Sequence, residues 1–265
     1  MNDRIAIIGG GNLGSAVAEG LIRSSFVAPE RIMITKRNTQ TLDALRKRGV
    51  QVSARNEDAL GFADLVLLAV KPFQLKDVLL PLRGSFQAER HVVVSVVTGI
   101  TIEHLAGMID AKVPIVRAMP NTAIAIQESM TCLSASNAGE EQLRYVQAMF
   151  EQLGEVVRID ESLMNAATVL GACGTAFAMR YIRANIQAGI EIGFDAATAK
   201  KIAAQTVKGA AELLLTMGSH PEEEIDKVTT PKGYTIAGLN EMEHQGFSSS
   251  LIKGIVTSYH KIAKD

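Results

Sequence analysis

The stretch "IAIIGGGNLGSAVAEG", Ile5–Gly20, constrains this chain more than any other. An apolar run, "RIAIIG", passes directly into the spaced glycines Gly9, Gly11 and Gly14, and a helix-forming run, Leu13–Ser24, follows. G-x-G-x-x-G is weak as a bare pattern. Between a strand and a helix, at the start of a βαβ unit, it marks a dinucleotide-binding turn. Gly9 permits the tight turn, Gly11 lets the backbone approach a pyrophosphate, and Gly14 allows close helix–strand packing. The helix start offers unpaired N–H groups and partial positive charge to the anion.

The rest of the first half repeats this alternation. "RIMITK" (31–36) reads as a second strand, "TLDALRKRG" (41–49) as a helix closed by its glycine, and "VQVS" as a strand. A short helix is predicted near Asn56–Leu60, and buried strands over "ADLVLLAV", "HVVVSVV" and "VPIVRAM". Apolar strands alternating with helices imply a parallel sheet covered on both faces. From about Glu161 the β-branched runs fade and Ala-rich helical spacing takes over, with "ATAKKIAAQTVKGAAELLLTMG" ending on a glycine and "SSSLIKGIVTSYHKIAKD" as a terminal helix. The reading is an α/β fold: an N-terminal Rossmann-type dinucleotide-binding domain over 1–160, then an all-helical dimerisation and substrate domain over 161–265.

Composition removes several function classes. A net charge of -1 with scattered Lys and Arg argues against nucleic acid. Cys132 and Cys173 have no CxxC or metal-ligand spacing, so they read as small core residues in a reducing, cytoplasmic setting, with no metal. The N-terminus has no signal-peptide layout. The uncharged run between Glu161 and Arg180 carries Ser, Asn, Thr and Gly, and reads as a buried helix of a soluble protein, not a membrane span. His91, His104, His220, His244 and His260 show no ligand or dyad spacing.

The end of the second strand addresses the cofactor. An NAD site usually places a carboxylate there for the ribose 2′-OH. This chain has Thr35, Lys36, Arg37 and Asn38, whose cations suit a 2′-phosphate. NADP(H) is preferred, with NAD(H) as the lesser alternative; a solvated basic loop is the plainer reading. Asn56 stands where an N-cap would. Lys71 and Pro72 close a buried strand at the edge where open α/β sheets bind ligands. "RAMPNTA" joins an arginine, a proline and an amide to another strand end.

"IGGGNLGSAVAEGL", "LLAVKP", "VVVSVVTGIT", "RAMPNT", "AAQTVKGAAELL" and "HPEEEIDKVTTPKGYTIAGLNEMEHQGFSSSLIKGIV" together make the chain resemble the pyrroline-5-carboxylate reductases over nearly its whole length. The resemblance implies NADPH-dependent reduction of 1-pyrroline-5-carboxylate to L-proline, the last step of proline biosynthesis. It implies that Gly9, Gly11, Asn12 and Leu13, with Gly14 behind them, line the pyrophosphate. Thr35, Lys36 and Arg37 would hold the 2′-phosphate and Asn56 the adenosine side. Ala69, Val70, Lys71 and Pro72 would lead to the nicotinamide, with Met119, Pro120 and Asn121 beside its carboxamide. Gly233, Tyr234 and Thr235 would take the imine carboxylate substrate, with Thr235 as the catalytic hydroxyl. A homodimer or higher homo-oligomer is implied as well, and the helical half carries more apolar faces than one small domain can bury.

Three departures stand out. Gly171–Phe177 replaces the family's S-G-S-G-P-A-Y, Thr230–Thr235 its S-P-G-G-T-T, and Ala123 the proline of P-N-T-P. They keep open a related imine or β-hydroxyacid reductase of altered specificity; a dinucleotide-binding protein without chemistry is the non-enzyme alternative. Carbonyl reduction calls for a strong proton donor. Yet no lysine occurs between Lys112 and Lys200, and the helix after the boundary has no ionisable group inside it except Cys173. A cyclic imine is basic enough to be protonated before hydride arrives, so backbone amides and hydroxyls suffice. By local chemistry alone Thr235 is simply the N-cap of a helix.

Overall fold

The computed structural model describes residues 4–109 and 112–262. The last three residues of the expected terminal helix lie outside the described residues. By packing, the described chain forms two units: one runs to Cys173 and includes Ile262, the other is Gly174–Lys261.

The first unit is built on one eight-stranded sheet of order β3-β2-β1-β4-β5-β6-β7-β8. Its strands are β1 (Ile5–Ile8), β2 (Ile32–Thr35), β3 (Gln51–Ser53), β4 (Leu65–Leu68), β5 (Val92–Ser95), β6 (Ile115–Met119), β7 (Ser129–Ser136) and β8 (Gly154–Arg158). β1 to β6 pair in parallel, giving the 3-2-1-4-5-6 order of a doubly wound nucleotide-binding sheet. β7 runs antiparallel to β6, and β8 joins it in parallel at the edge. The sequence reading contains neither. β7 is a Ser/Thr-rich run without the apolar block that marks the inner strands, and β8 is partly exposed.

Both sheet faces are covered, which explains the unbroken apolar strands. Ile5, Ile7, Ile32, Ile34, Leu65, Leu67, Val92 and Val94 face one layer with α1 (Asn12–Arg23). Ala6, Ile8, Val66, Leu68, Val93 and Ile115 face the other. That second layer holds α3 (Asn56–Phe62), α4 (Leu75–Leu79) and α5 (Ile102–Met108). The short α2 (Asp43–Lys47) precedes Gly49 at φ +100°, and α6 (Glu140–Glu151) adds Val146, Met149 and Phe150 to the first layer. Each buried Ile in β1 contributes roughly 1.5–3 kcal/mol relative to exposure. Alternate side chains feeding two cores fix the register, because a slip of one residue would exchange the cores.

After the sheet come a 3-10 turn at Glu161–Leu163, α7 (Met164–Ala167) and a π-wound stretch, Thr168–Cys173. The second unit holds α8 (Gly174–Glu191), α9 (Ala196–Met217), α10 (Pro221–Lys227), α11 (Tyr234–His244) and α12 (Phe247–Ile262). α9 is capped by Asp195 and stopped by Gly218 in the left-handed region. A Cβ at Gly189 would lie 3.1 Å from the Ala199 Cβ, so α8 and α9 pack closely there. Tyr181 and Phe247 bring α8 and α12 together, with ring centroids 6.0 Å apart.

The uncharged run after Glu161 is not the buried helix that its composition predicts. Glu161–Glu191 is long and apolar enough to cross a membrane by length and composition, but only 17% of its apolar window is buried. No residue of α8, α10, α11 or α12 is buried, and Leu170, Ile192, Leu215 and Met217 are largely exposed. Among the described residues these faces have no cover.

Candidate functional site

Six parallel strands end at one sheet edge, and the switch point lies between β1 and β4. There Gly9 has φ +115°, and a Cβ on it would come within 2.5 Å of the Ala69 carbonyl oxygen. The N–H groups of Gly9 and Gly10 both donate to the Thr35 carbonyl, at 3.1 and 2.9 Å, tying the turn to the end of β2. A Cβ on Gly14 would meet the Gly9 carbonyl oxygen at 2.2 Å, whereas one on Gly11 would meet no protein atom within 4 Å. Two glycines therefore answer to backbone crowding, and the third leaves open space before the start of α1. That space could hold a pyrophosphate. No side chain caps α1, so its first N–H groups are free for an anion; Asn12 is exposed and Leu13 packs against the core.

At the end of β2, Thr35 is buried and its hydroxyl donates to Asn56 Oδ1 at 2.6 Å. Asn56 is the first residue of α3 and Arg55 holds the cap position, so the N-cap expected of Asn56 is not what forms. A partner 21 residues away has taken its oxygen instead. What the amide has left to offer are N–H donors. Lys36 is half-buried and Arg37 exposed, and neither makes an ion pair among the described residues. Past β4, the Ala69 N–H donates to Ile8, holding Ala69 and Val70 beside the glycine turn. Lys71 and Pro72 are exposed, and Gln74 Oε1 accepts the Lys71 N–H at 3.3 Å.

At the end of β6, Met119 is buried among Cys132 and Met164, so only its main chain can border a ligand. The Asn121 side chain is engaged at both ends: Oδ1 accepts the Ala123 N–H at 2.9 Å, and Nδ2 donates to the Gly171 carbonyl at 3.3 Å. The first of these bonds depends on a departure from the family pattern, because a proline at 123 has no N–H to give. Arg117 and Glu161 went without a role in the sequence reading. Arg117 is 3% exposed and donates from Nη1 to Glu161 Oε1 at 3.0 Å. An arginine inside an otherwise apolar strand was the available signal.

In the second unit, Thr230–Gly233 is a tight turn closed by the Gly233 N–H donating to the Thr230 carbonyl at 2.9 Å. Pro231 takes the second position and Lys232, at φ +60°, the third, where a type II turn favours glycine. The family's glycine at that position thus has a backbone reason, which Lys232 overrides. A Cβ on Gly233 would lie 2.5 Å from the Thr230 hydroxyl oxygen. Gly233 is the N-cap of α11 and no side chain caps that helix, so Thr235 is not the cap that local chemistry predicts. Its hydroxyl sits exposed in the first turn, and Tyr234 is fully exposed. Since Gly233 spends its N–H on the turn, the unpaired donors begin at Tyr234. Among the described residues, no three His, Cys, Asp or Glu side chains gather where a metal could be held.

Residues 4–99 match the family described as NADP oxidoreductase, coenzyme F420-dependent, and residues 161–265 match pyrroline-5-carboxylate reductase dimerisation. Over 98% of its length the chain is 47% identical to pyrroline-5-carboxylate reductase 1 of Dictyostelium discoideum, of which it spans only about half, 49%. It is 42% identical over 99% of its length to reductase 2 of the same organism, of which it covers 93%. The solved pyrroline-5-carboxylate reductase of Coxiella burnetii superposes with a TM-score of 0.92 at 28% identity, covering 98% of this chain and 97% of that one. With a relative aligned end to end at 42% identity and a dimerisation match over its helical half, this chain belongs to the pyrroline-5-carboxylate reductase family.

Proposed function

We propose that this chain reduces 1-pyrroline-5-carboxylate to L-proline, with NADPH preferred over NADH. The observation that carries the reading is the pairing, in one member of this family, of a glycine cradle open at Gly11 with a β2 end that bears Lys36 and Arg37 and no carboxylate. Residues 1–160 serve the cofactor and residues 161–265 the substrate and self-association.

The open cradle fits the dinucleotide, which when bound supplies the hydride. Gly9, Gly11, Asn12 and Leu13 receive its pyrophosphate at the start of α1. Lys36 and Arg37 neutralise the 2′-phosphate, and Asn56, its oxygen held by Thr35, offers N–H donors on the adenosine side. The backbone of Ala69–Pro72 and of Met119–Asn121 borders the nicotinamide end. The uncapped N–H groups at the start of α11 grip the substrate carboxylate, with the Lys232 ammonium adding charge. The Thr235 hydroxyl hydrogen-bonds the ring nitrogen. Because that nitrogen already carries its proton, the protein aligns the imine carbon and excludes water, and needs no strong acid.

A second copy of the chain, not lipid, covers the exposed faces of the helical half, since Arg180 and Arg183 punctuate the apolar run. Free Cys132 and Cys173 suit a reducing, cytoplasmic setting.

Steady-state assays with pyrroline-5-carboxylate, piperideine carboxylates and small hydroxyacids, each with NADPH and NADH, test the reading. Turnover of the five-membered imine acid with a higher kcat/KM for NADPH is expected; no turnover of that substrate rejects the proposal. The exposed Lys232 and Tyr234 favour one second reading, a related imine reductase of shifted ring or side-chain preference. The piperideine arm of the same assay reads it.

A further inference from the structure

The carboxyl end of β6 is tied at two points to the segment that follows the sheet. Arg117 donates to Glu161 Oε1, and the same oxygen accepts the Ile102 N–H at the start of α5 at 2.6 Å. Four residues on, the Asn121 amide donates to the Gly171 carbonyl inside the π-wound stretch. Between the ties, Met119 packs on Cys132 and Met164, with Ala167 and Ala172 alongside. Arg117 Nη2 is buried and has no hydrogen-bond partner among the described residues. A buried cation with a bare nitrogen costs stability, and buried ion pairs seldom outdo apolar packing. π-turns, too, tend to persist where function asks for them. Stability alone does not account for this arrangement.

We propose that Arg117 and Asn121 are positioning residues for the nicotinamide end of the site. They fix the Met119–Asn121 turn between the start of α5 and the Glu161–Cys173 segment, so that the main chain of 119–121 meets the cofactor in one geometry. Asn121 works through this tie and not by touching the carboxamide. The inference rests on the reading above, in which this turn borders the nicotinamide.

The test compares two ligands, NADPH and adenosine 2′,5′-bisphosphate, which shares the adenosine and 2′-phosphate but has no nicotinamide. Two variants carry it: Arg117→Met combined with Glu161→Gln, and Asn121→Asp, which keeps an acceptor for the Ala123 N–H but loses the donor to Gly171. In both, kcat/KM for NADPH falls about tenfold, as a small misplacement of reacting groups would cause. The bisphosphate affinity and the melting temperature hold, and Arg117→Lys recovers most of the loss. Equal weakening of both ligands, or an unchanged kcat/KM in Asn121→Asp, overturns the inference. Asn121→Asp leaves the apolar core untouched, so it decides the matter even if the double variant fails to fold. A crystal structure of the wild-type chain with NADP+ separates the two layers. A nicotinamide remote from residues 119–121 sinks the underlying reading and the inference with it. A nicotinamide beside the turn, with unaffected variants, sinks the positioning role alone.

Discussion

The glycine cradle of the first unit and the loop before α11 in the second are made in different ways. The cradle at the sheet edge is held by backbone that has no room to move: Gly9 and Gly14 sit against carbonyl oxygens, and Thr35 and Asn121 lock their neighbours through side-chain bonds. The loop before α11 stands among helices with no buried residue, its turn carries a lysine in a glycine's conformation, and its helix start is uncapped. The glycine turn is completed by its own sheet. The loop before α11 leaves the donors of its helix start without a side-chain cap.

That contrast can be broken most sharply at the glycines. Gly14→Ala forces a Cβ against backbone, so chemical denaturation should show a loss of about 3 kcal/mol together with failed NADPH binding. Gly11→Ala meets no protein atom and should leave stability unchanged while NADPH affinity, read by cofactor fluorescence, still drops. Equal stability losses in the two would erase the distinction between crowding and ligand space. In the loop, Thr235→Ala should lower kcat about a hundredfold with NADPH affinity retained; an unchanged kcat removes the hydroxyl from the mechanism.

Lys232→Gly sharpens the comparison from the other side. Relief of the left-handed backbone should raise stability by about 1 kcal/mol, while KM for the imine acid rises if the ammonium aids carboxylate binding. A lower stability in this variant would refute the strain argument. The smallest effect belongs to His91, buried in the first unit. Its Nδ1 accepts the Gln87 N–H and its Nε2 lies 3.1 Å from the Leu60 carbonyl, which fixes the neutral ring. Burial pushes its pKa below the ordinary 6.5, with the Leu60 bond opposing and Arg90 assisting. The unfolded chain then takes up the proton first as pH falls. Stability is full above about pH 6.5 and declines as pH drops through the lowered folded value. Denaturant midpoints across this range should show the decline, and His91→Gln should flatten it.

Much of this was legible in the residues. β1, β2, β4, β5 and β6 announce themselves because strands buried on both faces are apolar almost throughout; β3, a three-residue edge strand, is only partly buried. The glycine spacing and the missing carboxylate after β2 need no coordinates either. β7 is not legible in the sequence because its Ser and Thr residues look like loop until they are paired. Asn56 and Thr235 each carry the local signature of an N-cap, and each does something else. A threonine 21 residues away claims one, and a crowded glycine takes the cap from the other. Arg117 stood in plain view within "RAMPNTA", but its partner lies 44 residues further on.

The sequence by itself determined the alternation of strands and helices, the glycine turn between β1 and α1, and the change to helices near residue 160. All of these follow from periodicity and from what glycine alone permits. Only the tertiary structure decided which polar side chains are already engaged, that Lys232 sits in the left-handed region, and that the helical half leaves its apolar faces uncovered. Those outcomes depend on contacts between residues far apart in the chain, and local chemistry carries no record of them.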